Sequence, residues 1–212
     1  MRAAIVLGLG LTALVATTAA AQWIGEPVWN SPSAGTGLTI SGDYARPDSA
    51  YGKGNTWGGR ASLGLSTMTL TAGVASWKPN GATTSITSVG GNVAFRLIGG
   101  SLLPVAVNMQ LGGSGTTSTP KATELIGAVG ISVPLPTPGF SIEPYFSPGV
   151  RYRNSGGGTN TTNFGYVFGA NLGFGVLGVH LAYDHEHKAS NSANGSVFGI
   201  GLHAGLHLPM GL

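Results

Sequence analysis

From residue 36 onward, the chain consists of segments in which hydrophobic and polar residues alternate, separated by stretches rich in Gly, Pro, Asn and Ser. Alternation with a period of two predicts strands that bury one face. We assign strands to residues 36–46, 56–65, 68–78, 85–97, 103–112, 122–133, 140–153, 162–175, 177–186 and 196–208. The pattern therefore predicts ten strands, or eight if the first pair or a middle pair is misassigned.

The connections between these segments alternate in length. Longer polar connections follow the odd-numbered strands, at residues 47–55, 79–84, 113–121, 154–161 and 187–195, and shorter ones follow the even-numbered strands. A meander with long loops at one end and tight turns at the other is typical of transmembrane barrels. We predict an all-β, antiparallel up-and-down transmembrane β-barrel. An even number of strands places both of its termini on the periplasmic side.

The two faces of the predicted strands differ in polarity. One face is aliphatic, as at Leu63, Val93 and Leu111, with aromatic residues such as Trp57 and Phe174 near strand ends. The opposite face, mostly Gly, Ser, Thr and Asn, also carries Asp43, Arg60, Arg96, Asn108, Gln110, Glu124, Glu143, Arg151, Asn171, His180, Asp184, His203 and His207. A soluble barrel would turn its apolar face inward, but these charges are too sparse for a water-exposed surface. We therefore expect the apolar face to contact lipid, bordered by two aromatic belts.

Composition supports this choice. Only 8% of the 212 residues are charged, 37 are glycine, and the mean hydropathy is +0.23. A soluble domain has roughly 25% charged residues, and a disordered chain combines low hydrophobicity with high net charge. The absence of cysteine excludes disulfides and thiolate sites. The net charge of +3 is spread along the chain without a basic patch, so we expect no nucleic-acid partner.

The first 21 residues have the layout of a cleaved signal peptide. Met1 and Arg2 give a positive start, residues 3–16 are apolar, and small residues lead to Ala21. The alternative, a membrane anchor, would need roughly 20 apolar residues. We interpret residues 1–21 as signal peptide, 22–35 as a periplasmic lead-in and 36–212 as the barrel, and we expect export from the cytoplasm.

These features together resemble the small outer-membrane β-barrel proteins of Gram-negative bacteria, the OmpA/OmpX/OmpW-like and opacity-protein group. The resemblance covers nearly all of the mature chain but rests on pattern rather than on a diagnostic motif. It implies an integral protein of the bacterial outer membrane. Its partners would be the lipid bilayer, the outer-membrane lipids and the outer-membrane assembly machinery. The sequence does not set the oligomeric state, although a monomer is favoured.

Charged residues inside the predicted barrel are the first candidate site. Arg60, Arg96, Arg151 and Arg153 are expected to face Asp43, Glu124, Glu143 and Asp184 across a narrow lumen. Buried charges must pair or remain hydrated, so a salt-bridge network is the simplest interpretation. The functional alternative is a constriction that selects or gates ions.

Histidines of the last hairpin form the second candidate site. His180, His203 and His207 share the inward face, and the hairpin would set His180 opposite either His203 or His207. The second arrangement also sets Asp184 opposite His203. Imidazole and carboxylate groups suit metal binding or pH sensing, but no compact metal motif is present. We interpret residues 184–187 as a solvated strand end.

We therefore expect no cofactor, no metal and no catalytic residue. The leading hypothesis is a non-enzymatic outer-membrane barrel with a structural role, or a narrow pore for small solutes and ions. The alternative is an outer-membrane enzyme or a metal-binding barrel that uses the histidines of the last hairpin.

Overall fold

The computed structural model describes residues 23–99, 103–119, 121–156, 160–188 and 193–206. The elements in chain order are β1 (Thr36–Pro47), a short 3-10 turn η1 (Ser49–Tyr51), β2 (Asn55–Leu65), β3 (Met68–Lys78), β4 (Ile86–Ile98), β5 (Ala106–Thr116), β6 (Thr123–Ser132), β7 (Leu135–Thr137), β8 (Phe140–Asn154), β9 (Asn160–Phe174), β10 (Leu177–His187) and β11 (Gly195–Leu206). In the described residues, no helix is long and apolar enough to span a membrane.

Each long strand pairs antiparallel with its neighbours in sequence, and β1 pairs with β11. The sheet closes because β6 also pairs with β8, while the short β7 continues the course of β6 beside β8. The result is a closed barrel of ten long strands. This confirms the predicted up-and-down transmembrane barrel and rejects the eight-stranded alternative. We call the end with the tight turns the turn end and the opposite end the loop end.

The strand bounds differ most from prediction at β5. This strand runs from Ala106 to Thr116 instead of 103–112. Pro104 has no N–H to donate to a ladder, which delays the start. The Gly-rich stretch after residue 112 looks like a loop in sequence, yet Gly113 pairs with Gly91. The short β7 was not predicted.

The apolar face of the strands points outward. Trp57 and Leu202 are each 65% exposed, and Leu111, Phe168 and Ile200 are exposed on other strands. Exposed aromatic residues lie toward both ends, with Phe164 and Phe198 near the loop end and Phe95 and Phe174 near the turn end. An apolar exterior around a polar interior is the arrangement of a lipid-facing barrel, as predicted.

Residues 23–34, which we call the lumenal segment, run through the inside of the barrel. At the turn end the Ser33 N–H donates to Glu143 Oε1 at 2.7 Å, and at the loop end the Ile24 N–H donates to Ser88 Oγ at 3.2 Å. Trp23, Val28 and Trp29 are buried. This corrects the expectation that these residues form a periplasmic lead-in. These residues are enclosed because their apolar and backbone groups find partners on the lumen wall. The proposed signal peptide, residues 1–21, lies outside the described residues.

Candidate functional site

The interior of the barrel contains three layers of polar side chains. The layer nearest the loop end is centred on Glu186, which is fully buried. Its Oε2 accepts hydrogen bonds from Tyr51 Oη at 2.8 Å and Arg151 Nη1 at 3.2 Å. Its Oε1 accepts from Asn163 Nδ2 at 2.6 Å and Arg153 Nη1 at 2.5 Å. Two arginines and two neutral donors therefore compensate one buried carboxylate.

The same two arginines extend this layer to β6 and β10. Arg153 forms a two-point contact with Glu124, at 2.8 Å and 3.1 Å, and Arg151 Nη2 lies 2.7 Å from Asp184 Oδ1. Glu186 is therefore part of a buried network, which corrects the interpretation of residues 184–187 as a solvated strand end. β10 extends to His187, and its side chains Asp184 and Glu186 face the lumen because their charges have partners there. Tyr51, on η1 beyond the strands, is enclosed with it, and burial raises the pKa of its phenol above the usual range.

The middle layer joins β1, β2 and β10. His180 Nε2 lies 2.6 Å from Asp43 Oδ1, and Arg60 Nε lies 3.3 Å from Asp43 Oδ2. In the ladder, Gly201 lies between Asp43 and His180. A side chain at position 201 would collide with both of them. The missing side chain lets the two polar groups meet above the glycine.

This register corrects both arrangements expected for the last hairpin. His180 lies opposite Gly201, and Asp184 lies opposite Val197, so neither His203 nor His207 faces His180 directly. The expectation was based on polar side chains pairing across the hairpin. Instead, the polar partner of His180 is Asp43 of β1. His203 still reaches His180 diagonally, with 3.2 Å between their Nδ1 atoms. His207 lies outside the described residues.

The geometry of the two imidazoles indicates a hydrogen bond. Their ring planes differ by 11° and their centres are 5.4 Å apart, so the two Nδ1 atoms point at each other within nearly one plane. Two metal-binding lone pairs would instead converge on a common point. Arg60 Nη2 lies 2.8 Å from His180 Nε2, so only one of the contacts of that nitrogen, to Asp43 or to Arg60, is a hydrogen bond at a time. We assign it to Asp43, because that contact is the shorter one, at 2.6 Å against 2.8 Å.

A tryptophan from the lumenal segment covers this layer. The Trp29 ring lies edge-on to His180, with centres 4.6 Å apart, and the Arg60 guanidinium lies 4.8 Å from the Trp29 ring centre. Next along the segment, the side-chain amides of Asn30 and Asn108 bond reciprocally, at 3.2 Å and 2.8 Å. The lumenal segment therefore contacts the wall through both apolar and polar groups.

The turn-end layer surrounds Glu143. Its carboxylate accepts hydrogen bonds from the Ser33 N–H, Ser31 Oγ, Ser132 Oγ and Asn171 Nδ2, all between 2.7 and 3.1 Å. Arg96 Nη1 donates to the Ser33 carbonyl at 2.7 Å. Glu143 and Arg96 thus bind the lumenal segment, and they do not pair with each other.

Space remains at the turn end of the lumen. A cavity of about 950 Å³ lies between the lumenal segment and the wall. Its lining includes Ser62, Thr71, Asn92, Gln110 and His203. Apolar residues such as Leu103 and Leu135 also line the cavity, which reaches Trp29 and His180 of the middle layer.

Glu26 is a lumenal carboxyl that forms no ion pair among the described residues. It belongs to the lumenal segment and not to a membrane-spanning strand. Burial raises the pKa of Glu26 to about 8, and the nearby Asp43 carboxylate adds to this rise. Arg60 and the Trp29 indole act in the opposite direction but are weaker. The carboxyl is therefore mostly protonated at neutral pH.

All seven predicted lumenal charges, Asp43, Arg60, Arg96, Glu124, Glu143, Arg151 and Asp184, lie inside the barrel. The sequence analysis missed Glu26, Trp29, Asn30 and Glu186. Glu186 has the inward parity of Asp184 and so could be found. Residues 26, 29 and 30 lie in a stretch without periodicity, and nothing local signals their burial. In the described residues, no cluster of three or more His, Cys, Asp or Glu has a metal-binding arrangement.

No protein-family profile and no curated protein sequence matches the chain. Similar solved structures include the N-terminal β-barrel domain of Pseudomonas aeruginosa OprF, at 8% identity and a TM-score of 0.40, covering 82% of this chain and 99% of that one. The outer membrane enzyme PagL is 14% identical with a TM-score of 0.40, covering 79% and 99%. The outer membrane protease OmpT from Escherichia coli is 9% identical with a TM-score of 0.41, covering 81% and 94%. These similarities are too distant to transfer an activity. The chain's own geometry is that of the small outer-membrane β-barrel proteins.

Proposed function

We propose that this protein is a structural barrel of the bacterial outer membrane whose lumen is closed by its own N-terminal segment. The proposal rests on one observation: the lumenal segment is bonded to the wall from Ser33 at the turn end to Ile24 at the loop end. A ten-stranded barrel has an interior only slightly wider than its side chains require. The lumenal segment in that space and the Glu186 network at the loop end close the path through the barrel, although a cavity remains at the turn end.

Conductance in planar bilayers tests this proposal. The refolded wild-type protein is expected to give no discrete conductance steps, and a variant lacking residues 23–34 is expected to give them. A synthetic peptide of residues 23–34 is expected to block the steps of the truncated variant. Heat-modifiable migration in gels verifies that each protein has folded. Steps of equal size in both proteins would reject a closed lumen.

A second candidate is passage of small solutes or ions when the lumenal segment withdraws. The cavity of about 950 Å³ at the turn end favours it, because this part of the lumen already has space and several polar side chains on its wall. Arg60 is one of the residues that line that cavity. This candidate would be supported over the structural one if the wild-type protein gives conductance steps and the Arg60→Glu variant gives steps of different ion selectivity.

An enzyme built on the last-hairpin histidines is the remaining alternative. Asp43, His180 and His203 form a chain of polar contacts like those that orient a general base. However, Asp43 and His180 are buried, and Trp29 packs against His180. This enclosure supports a structural role for the chain of contacts, and we expect no hydrolytic activity.

A further inference from the structure

The charged residues of this protein are segregated by sign. Six of its seven acidic residues, Glu26, Asp43, Glu124, Glu143, Asp184 and Glu186, are buried inside the barrel. The seventh, Asp48, accepts backbone hydrogen bonds from Ala50, Tyr51 and Ser196. Apart from the lumenal arginines, the described cations are Arg46, Lys53, Lys78, Lys121 and Lys188, all at the loop end, while Arg2 lies outside the described residues. The outer rim at the loop end is therefore cationic.

Two of these cations form a row on the lipid-facing side of the sheet. Lys78 of β3 is paired with Asn55 of β2. Continuing the register in which Tyr44 faces Trp57, Arg46 of β1 lies opposite Asn55. All three residues are exposed and point outward. Neighbouring strands are about 4.8 Å apart, so the two cations flank Asn55 within reach of one anionic group.

Asn55 is oriented by its neighbour. Tyr44 Oη donates a hydrogen bond of 2.8 Å to Asn55 Oδ1, which turns the donor side of the amide away from Tyr44. Neither Arg46 nor Lys78 forms an ion pair among the described residues. The row thus presents a guanidinium, an amide donor and an ammonium with no carboxylate to neutralise them. That combination suits a phosphate group.

Directly below the row, toward the membrane centre, lies an aromatic pair. The rings of Tyr44 and Trp57 are 4.7 Å apart, and Trp57 is 65% exposed on the lipid face. Aromatic side chains of this kind mark the level of the lipid headgroups. The cations are therefore at the height of the phosphates of the leaflet around the loop end.

Below the aromatic pair, the lipid face of β1–β3 has a shallow trough. Gly42 is paired with Gly59, and Ala61 with Ala72, all on the outward face. A Cβ at Gly42 would meet nothing within 4 Å. Larger side chains, Ile40 and Val74, border this strip of small residues. The trough could hold an acyl chain while the cationic row above it contacts the phosphate of the same lipid.

We propose that the outward face of β1–β3 binds an anionic phospholipid, one whose phosphate is not neutralised by a cation in the same headgroup. The phosphate contacts Arg46, Asn55 and Lys78, and an acyl chain lies along the trough at Gly42 and Gly59. The site is separate from the lumen and does not depend on whether the lumen is closed.

Trp57 provides a local reporter for the test. It is the tryptophan on the lipid face, since Trp23 and Trp29 are buried in the lumen and Trp77 packs against Gly25 of the lumenal segment. The refolded protein is placed in phosphatidylcholine vesicles containing the same mole fraction of either acyl-brominated phosphatidylglycerol or acyl-brominated phosphatidylcholine. Bromine quenches tryptophan fluorescence at short range, and a Trp57→Phe variant establishes how much quenching comes from this residue.

We expect brominated phosphatidylglycerol to quench the wild-type protein more than brominated phosphatidylcholine. The preference is expected to fall about fivefold for each cation removed, since a cation near an anionic surface is worth about 1 kcal/mol. Arg46→Ala/Lys78→Ala is therefore expected to lose the preference. Lys53→Ala/Lys121→Ala loses the same charge from the rim and is expected to retain it.

Gly42→Leu fills the trough without changing charge, and it is expected to reduce the preference as well. Heat-modifiable migration verifies folding of every variant. Retention of the preference in Arg46→Ala/Lys78→Ala, or its equal loss in both double variants, would overturn the site. An unchanged preference in Gly42→Leu would overturn the acyl-chain trough.

Discussion

The backbone N–H of Val28 donates a hydrogen bond of 3.0 Å to Oδ2 of Asp184. The other oxygen of this carboxylate lies 2.7 Å from Arg151 Nη2. A single buried side chain of β10 therefore holds the lumenal segment and an arginine of β8 at once. The segment is thus fixed by the charge network of the wall, and the network is completed by the segment.

Replacing Asp184 tests this coupling. Asp184→Ala is expected to lower the free energy of unfolding by about 3–5 kcal/mol, because loss of one partner leaves a buried charge poorly compensated. Urea unfolding in detergent micelles measures the change. Lys121→Ala, at an exposed position, is the control and is expected to stay within about 0.5 kcal/mol of wild type. Equal unfolding midpoints for the Asp184→Ala variant and wild type would show that the network does not stabilise the barrel.

Gly199 offers a way to displace the lumenal segment without deleting it. A Cβ at this position would lie 2.7 Å from both Pro27 Cγ and Trp29 Cη2, so Gly199→Val is expected to push the segment out of place. The expected results are conductance steps and stronger quenching of tryptophan fluorescence by acrylamide. At Gly205 the nearest atom would be 3.6 Å away, so Gly205→Val is the matched control. Identical acrylamide quenching in the two variants would contradict the placement of the segment.

The orientation of β3 can be tested with two arginines. Val74 is 46% exposed on the outward face, whereas Thr71 lines the turn-end cavity. Val74→Arg is expected to destabilise the folded protein by about 2–4 kcal/mol, because its charge enters the bilayer. Thr71→Arg places the charge in the lumenal cavity, away from lipid, and is expected to cost much less. Folding yield in phospholipid vesicles and urea unfolding measure the difference. A similar loss in both variants would contradict the assignment of the two faces.

The raised pKa of Glu26 predicts that the free energy of unfolding depends on pH. Its pKa is raised from 4.5 to about 8 by burial, helped by Asp43, so the folded protein binds this proton more tightly than the unfolded chain does. The stabilisation is complete below the unfolded pKa and is lost as pH rises through about 8. Each pKa unit corresponds to about 1.4 kcal/mol, so the effect amounts to a few kcal/mol.

Glu26→Gln removes this titration. The variant is expected to unfold at nearly the same urea concentration as wild type at pH 5 and at a higher concentration at pH 9, where wild-type Glu26 is ionised without an ion-pair partner. Asp48→Asn, which changes a carboxyl outside the lumen, is the control for general charge effects. Parallel pH profiles of wild type and Glu26→Gln would reject the raised pKa.

Several features of the fold are determined by local sequence. Residues 68–78 were predicted to the residue, because the period-two alternation is uninterrupted and the Ser66-Thr67 turn is tight. The direction of the faces also follows from sequence, since a chain with few charges can place its apolar side chains only against lipid. These properties depend on neighbouring residues and on bulk solvation.

Tertiary structure decided the contents and pairing of the lumen. Parity placed His180 and Asp43 inside but did not show that they meet across Gly201, because register depends on the whole closed ring of strands. The sequence of the lumenal segment has no periodicity. Trp29 lies in the lumen because the closed barrel has space for it there and its ring packs against His180 and Arg60. The sequence by itself determined the strands of the barrel wall, because their alternating pattern repeats along each strand. The contacts inside the lumen depend on groups far apart in the chain, and only closure of the barrel brings those groups together.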